Sequence, residues 1–184
     1  TTSGKLLTYT RNNNIANLEF LAKLPGNLGG LVKMNAGLKS WEMFNYIHSI
    51  KTKDGYIKKE DVNFSYRETK IDTIIYEVVF NIESGFCKEK LKEFNKMRDN
   101  QPHVPSAGSC FKNPKDDFAG RLIEAVELKG LRQGDMSFSE QHANFLVNNG
   151  AGTFEDAIYL IDLAKKKIKE EFSIDIEEEI IIYK

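Results

Sequence analysis

The sequence predicts an α+β fold built from two units. Helix and strand signals are segregated rather than strictly alternating. Hairpin punctuation, clearest at Asp54-Gly55, points to antiparallel pairing. The chain's 184 residues suffice for two small cores. The division is expected at Ser84-Gly85, giving units of 1–84 and 85–184.

In order along the chain, Ser3 can cap a short helix through Tyr9, which Asn12-Asn13-Asn14 breaks. Leu18 to Leu21 is a short apolar turn of helix or strand. Leu24-Pro25-Gly26-Asn27-Leu28-Gly29-Gly30 follows, and Pro-Gly with Gly-Gly is strong punctuation. A helix beginning at Leu31 would leave backbone N–H groups of this loop facing an anionic group. A tight turn packed against a helix explains the same residues. Tyr46 to Thr52 reads as a strand that returns through Tyr56 to Lys58. Phe64-Ser65-Tyr66-Arg67 is a compact aromatic and cationic unit. Its arginine can pair with Glu68 or Glu60, or fork onto a substrate anion. Ile74 to Ile82 is β-branched and aromatic, with Val78, Phe80 and Ile82 on one face.

A connecting helix follows Ser84-Gly85, with Cys87, Leu91, Phe94 and Arg98 at helical spacing, and ends at Asn100 and Pro102. Asp116 or Asp117 caps a short helix whose buried stripe is Leu122, Ile123 and Val126, with Gly130 after its end. Phe138 to Val147 has a polar start and an apolar strand end, closed by Asn148-Asn149-Gly150. Thr153 and Asp156 form a capping box for the clearest helix. Its stripe is Ala157, Ile161, Ala164, Ile168 and Phe172. The last segment alternates, with Ile174, Ile176, Ile180 and Ile182 on one face and Asp175, Glu177 and Glu179 on the other. Charged residues there also suit a strand edge that resists aggregation.

Composition narrows function. Lysine and arginine number 26 against 27 aspartates and glutamates. That balance argues against a general nucleic-acid binder. Two distant cysteines make no disulfide framework, and three scattered histidines show no zinc spacing, so no metal is expected. No apolar run approaches the ~20 residues that span a bilayer. The start is polar and is not a signal peptide. A cytoplasmic monomer is expected.

Pro105-Ser106-Ala107-Gly108-Ser109-Cys110-Phe111-Lys112-Asn113-Pro114 carries the densest chemistry. Gly108 lets the backbone bend. Ser109 can donate a proton, Lys112 suits phosphate or carboxylate, and Asn113 both donates and accepts. Cys110 is a rival proton donor, being the more acidic group. In an extended segment Ser109 and Cys110 point to opposite sides. A structural turn is the plain alternative for the whole stretch.

Seven blocks in order resemble one family. They are Leu24-Pro25-Gly26 with Gly29-Gly30; Met34-Asn35-Ala36-Gly37; Tyr66-Arg67; Ala107-Gly108-Ser109 with Phe111-Lys112-Asn113-Pro114; Ala119-Gly120 with Leu122-Ile123-Glu124; Ser139 with His142-Ala143-Asn144-Phe145; and Ile176-Glu177 with Glu179-Ile180. The family is UDP-N-acetylenolpyruvoylglucosamine reductase, also called UDP-N-acetylmuramate dehydrogenase. The resemblance implies FAD as cofactor, NADPH as hydride donor, and reduction of UDP-N-acetylglucosamine enolpyruvate for peptidoglycan. It implies Ser109 as the proton donor, with Arg67 and Glu179 stabilising the enolate-like intermediate. Lys112, Asn113, Gln141 and His142 match substrate-side positions. Pro25, Gly26, Gly29, Gly30, Asn35, Ala36 and Gly37 match flavin-contacting segments. On this reading 1–84 is the second flavin-contacting domain, and 85–184 is the substrate domain with its terminal strand returning toward the flavin side. The family has an earlier flavin-binding unit with no counterpart here, so the chain is expected to be the C-terminal portion, and its short connector from Ser84 to Gln101, with no tyrosine, resembles the shorter subclass. The alternative is a UDP-sugar-binding module without flavin or activity.

Overall fold

The computed structural model describes residues 1–183. It forms an α+β architecture of two compact units, residues 1–99 and Asn100 onward, each with its own apolar core. All strand pairs are antiparallel.

In the first unit, α1 (Ser3–Asn12) starts where the Thr2 side chain accepts from the Lys5 N–H. Thr2, rather than Ser3, is the cap. The helix ends at the asparagine run, with Asn14 in the left-handed region at φ +53°. The stretch around Leu18 closes as a 3-10 turn, Glu19–Leu21, which buries Phe20 and Leu21. Helix α2 spans Leu28–Lys33. It begins earlier than expected, because the Leu28 N–H finds Thr1 O and the Leu31 N–H finds Asn27 O. Gly29 and Gly30 therefore lie inside a helix and not in an open loop.

A two-residue hairpin follows, β1 (Gly37–Leu38) with β2 (Trp41–Glu42). Strand β3 (Ile47–Thr52) is the centre of a three-stranded sheet, with β4 (Gly55–Lys58) on one side. Ile47 and Ile50 of β3 are fully buried, as their β-branched, half-sheet positions favour. Thr52 pairs with Gly55, and Gly55 takes φ +111° in the turn. The hairpin β5 (Phe64–Ser65) with β6 (Glu68–Thr69) puts Tyr66 and Arg67 at its tip. The strand expected over Ile74 to Ile82 is shorter. Only β7 (Glu77–Phe80) pairs with β3, and Ile74 and Ile82 are exposed.

Helix α3 (Lys88–Met97) belongs to the first unit's packing. Its Phe94 meets Trp41 edge-on at 4.9 Å. Cys87 sits at the N-cap rather than in the apolar stripe. There its N–H donates to Glu19 Oε1 at 2.8 Å, placing a buried carboxylate at the helix's positive end. The sequence reading assigned this helix to 85–184. In the structure the side chains of its buried face, Leu91, Phe94 and Met97, join the first core.

The second unit carries β8 (Ser106–Ser109), α4 (Ala119–Ala125), β9 (Arg132–Gln133), β10 (Met136–Phe138), β11 (Phe145–Asn148) and α5 (Phe154–Phe172). The sheet order is β8-β11-β10-β9. The capping box at Thr153 and Asp156 forms as expected. Leu160, Ile161, Ala164 and Ile168 of α5 enter the core with Phe111, Leu122, Ile123 and Phe138. Neither Asp116 nor Asp117 caps α4 as the sequence suggested. Asn113 Oδ1 accepts from the Ala119 N–H at 3.0 Å, while Asp117 accepts from Phe118 and pairs with Arg121. That pairing holds the Asp117 carboxyl down to about 2. The terminal segment is not a continuous strand. It makes one bridge, Phe111 to Glu178, yet its isoleucines face the core as the alternation requires.

Candidate active site

Strand β8 is built to present Ser109. Phe145 pairs with Ser109 and Val147 with Ser106, with a register irregularity between the two pairs. Gly108 occupies the irregular strand at φ +91°, a conformation open to glycine and costly for other residues. The irregularity is taken up before Ser109, and past it the ordinary alternation leaves Ser109 half-buried while Cys110 is fully buried in the core. Burial, then the charge of Glu178, pushes the Cys110 thiol up to about 12. It stays protonated at neutral pH.

Asn144 fixes this strand. Its Nδ2 donates to Phe111 O at 2.8 Å, and its Oδ1 accepts from Phe111 N–H at 3.0 Å. Its own carbonyl accepts from Cys110 N–H at 2.6 Å. The terminal segment lies along the other edge. Glu179 N–H donates to Cys110 O and Lys112 N–H to Glu177 O, both at 2.8 Å. Ser109 and Glu179 are thereby brought to the same stretch of backbone, though 70 positions separate them in sequence. The neighbouring glutamates take structural partners. Glu178 pairs with Lys165 at 2.8 Å. Burial works against its charge, but the Lys165 hydrogen bond prevails and holds its carboxyl below the usual range. Glu177 pairs with Lys112 at 3.3 Å.

Among the substrate-side candidates, Asn113 gives its carbonyl oxygen to α4. Gln141 is exposed and helps line an open groove of about 370 Å³ with Gly130, Arg132, Ser139 and Glu140. A second, mostly apolar groove of about 450 Å³ runs past Ser106, Ala107 and Gly108. His142 stacks edge-on to Phe145 at 4.9 Å and packs over Gly120. Its Nδ1 accepts from the Asn144 N–H, and burial pushes its pKa below the ordinary histidine value. Its ring braces the turn that carries Asn144.

Arg67 is set in the first unit with equal care. Its backbone is left-handed at φ +56°, an uncommon state for a residue with a side chain. Nη1 donates to Glu42 Oε1 at 3.1 Å, and Nη2 donates to Gly37 O at 3.1 Å. The guanidinium also lies 4.6 Å from the centre of the Tyr66 ring. Glu42 is in turn held by Asn35 Nδ2 at 2.9 Å. Asn35 also donates to Ser65 O and accepts from Phe44 N–H, so its side chain is saturated and fully buried. A Cβ on Gly37 would fall 2.0 Å from Trp41 O.

These contacts sort the seven expected flavin contacts. Asn35 and Gly37 are buried and Ala36 is half-buried. Asn35 and Gly37 position Arg67, and Ala36 bonds Leu31 O and Met43 N–H through its backbone. Pro25, Gly26 and Gly30 are exposed and Gly29 is half-buried. A Cβ on Gly30 would meet nothing within 4 Å, so the chain is open there. Among the described residues no group of three or more His, Cys, Asp or Glu could hold a metal ion. None of their helices is long and apolar enough to cross a membrane.

Two positioning residues escaped sequence reasoning. Asn144 sat inside a recognised block without a role, and only the strand pairing shows that it grips Phe111. Glu42 had no local signal, because its partner Arg67 is 25 residues away.

Known proteins share this organisation. Residues 100–183 match the family described as UDP-N-acetylenolpyruvoylglucosamine reductase, C-terminal domain. The enzyme of that name from Helicobacter hepaticus is 48% identical over 180 residues, covering 98% of this chain and 68% of the relative. That from Campylobacter jejuni strain RM1221 is 47% identical, covering 99% and 70%. The crystal structure of the Thermus caldophilus reductase superposes with a TM-score of 0.89 at 30% identity, covering all of this chain and 70% of that one. The chain belongs to the UDP-N-acetylenolpyruvoylglucosamine reductase family.

Proposed function

We propose that this protein reduces UDP-N-acetylglucosamine enolpyruvate to UDP-N-acetylmuramate in cytoplasmic peptidoglycan synthesis, with FAD as cofactor and NADPH as donor. The observation that supports this most directly is the backbone pairing of Glu179 with Cys110, which brings Glu179 to the stretch of chain that carries the half-buried Ser109. Membership of the family supplies the substrate class.

FAD, when bound and reduced, supplies the hydride that enters the enolpyruvyl double bond. The backbone at Pro25, Gly26, Gly29 and Gly30 and the segment Asn35, Ala36 and Gly37 are the parts of this chain that would approach it. Hydride addition pushes negative charge toward the substrate carboxylate. Arg67, clamped by Glu42 and the Gly37 carbonyl, is a preorganised cation for that charge and needs little rearrangement as it develops. Ser109 donates its proton to the carbon next to the carboxylate, which requires its hydroxyl within hydrogen-bond reach. Glu179 shares the stabilisation of the intermediate. Lys112, Asn113, Gln141 and His142 contact the sugar nucleotide. Cys110 takes no part, because its thiol is shut inside the apolar core and burial makes it a weaker acid.

The test uses the product of the intact gene. Adding UDP-N-acetylglucosamine enolpyruvate and NADPH should consume NADPH and yield UDP-N-acetylmuramate. A yellow protein that oxidises NADPH but ignores the sugar nucleotide would overturn the substrate assignment. A colourless protein that binds UDP-sugars without turnover would support the binding-module alternative.

A further inference from the structure

One buried group in the first unit has no role in the scheme above. Arg98 closes the C-terminus of α3 and is 5% exposed. Its Nε and Nη2 are shut from water and have no hydrogen-bond partner among the described residues. A buried cation with unmet donors is a cost to the fold unless something supplies the missing acceptors. Burial, and then the charge of Arg67, pushes its pKa down to about 10, so it remains a cation at neutral pH.

The two unmet donors define the ligand. Nε and Nη2 form one edge of the guanidinium, with parallel N–H bonds that match the two oxygens of a carboxylate. The position is tied to Arg67. Phe94, one turn earlier on α3, seats against Trp41, and the next residue, Glu42, clamps Arg67.

We propose that the Nε–Nη2 edge of Arg98 receives the carboxylate of the sugar-nucleotide substrate, making Arg98 a specificity residue alongside Arg67. This rests on the functional reading above and adds a second carboxylate-binding arginine to it. Both donor atoms are covered in this structure, so binding includes displacement of the groups that cover them. Trp41, the sole tryptophan, packs on the same helix face one turn away and reports that displacement.

The test compares UDP-N-acetylmuramate, which carries a carboxylate, with UDP-N-acetylglucosamine, which does not. Binding to the full-length protein is measured by calorimetry and by tryptophan emission. Wild type should prefer the carboxylate ligand, and only that ligand should change the emission. Arg98→Met should cut the preference by about tenfold or more, the scale of a charged hydrogen-bonded pair. It should leave the affinity for UDP-N-acetylglucosamine within about twofold. Arg98→Lys, which keeps the charge but loses the fork, should fall between. Thermal stability of Arg98→Met should hold or rise, since the variant removes an unpaired buried cation. An unchanged preference in Arg98→Met would overturn the proposal. So would a parallel loss for both ligands with a lowered melting temperature, which marks a structural arginine. Failure of wild type to bind either ligand would instead sink the functional reading itself.

Discussion

The two units hold their key side chains by opposite means. Arg67 in the first unit is fixed by a polar network of Glu42, Asn35 and the Gly37 carbonyl, on a left-handed backbone at a hairpin tip. Ser109 in the second is fixed through the main chain, on a bulged strand whose next residues, Cys110 and Phe111, are embedded in the apolar core. A cation that must meet developing charge is best held by oriented dipoles, whose arrangement sets its direction. A small hydroxyl has little to orient, so the backbone beneath it must be rigid. Removing a charged partner of Arg67 should alter electrostatics with modest loss of stability. Damage to the second should cost stability first.

The largest effect should follow Phe111→Ala, which empties a fully buried aromatic position and should lower unfolding free energy by about 3–5 kcal/mol in urea melts. Gly37→Ala should approach it, at about 3 kcal/mol, because its Cβ meets the Trp41 carbonyl and the hairpin must shift. If Gly37→Ala folds at wild-type stability, the hairpin is looser than the contacts imply.

Asn144→Ala and Glu42→Gln sharpen the contrast. Asn144→Ala leaves the buried Phe111 N–H and carbonyl unpaired, and should cost about 2–4 kcal/mol in thermal or urea melts. Glu42→Gln keeps the shape and removes a charge that is only 19% exposed. It should cost about 1–2 kcal/mol of stability but about tenfold or more in kcat. Equal ratios of stability loss to activity loss in the two variants would erase the distinction between the units.

A smaller effect concerns Cys110. Its folded pKa is raised from 9.0 to about 12. As pH rises above 9 the unfolded thiol ionises while the folded thiol does not, so stability falls through that window and is untouched below it. Cys110→Ala should remove that slope when urea midpoints are compared from about pH 8 to pH 10, with a difference below about 1.4 kcal/mol per pH unit.

Much of the fold was legible in local signals. The capping box at Thr153, the Asp54-Gly55 hairpin and the α5 stripe rest on contacts within a few residues, which sequence patterns record directly. What was missed depended on partners far along the chain. The start of α2 is set by Thr1, the α4 cap comes from Asn113, and α3 joins the first core through Phe94 and Trp41. The terminal segment kept its predicted face but not its strand, because its partner stretch offers a single bridge at Phe111. The candidate site shows the same split. Ser109 stood out by its neighbours Gly108 and Lys112. Glu42 did not, and Arg98 was legible only as one position of a helical stripe.

The central claim is that Ser109 is the proton donor, and single-turnover kinetics of Ser109→Ala in the intact enzyme test it most directly. The variant should still accept electrons from NADPH at the wild-type rate while forming UDP-N-acetylmuramate at least about a hundredfold more slowly. Normal product formation in Ser109→Ala, with loss in Cys110→Ser, would contradict the assignment and place the donor on the buried thiol.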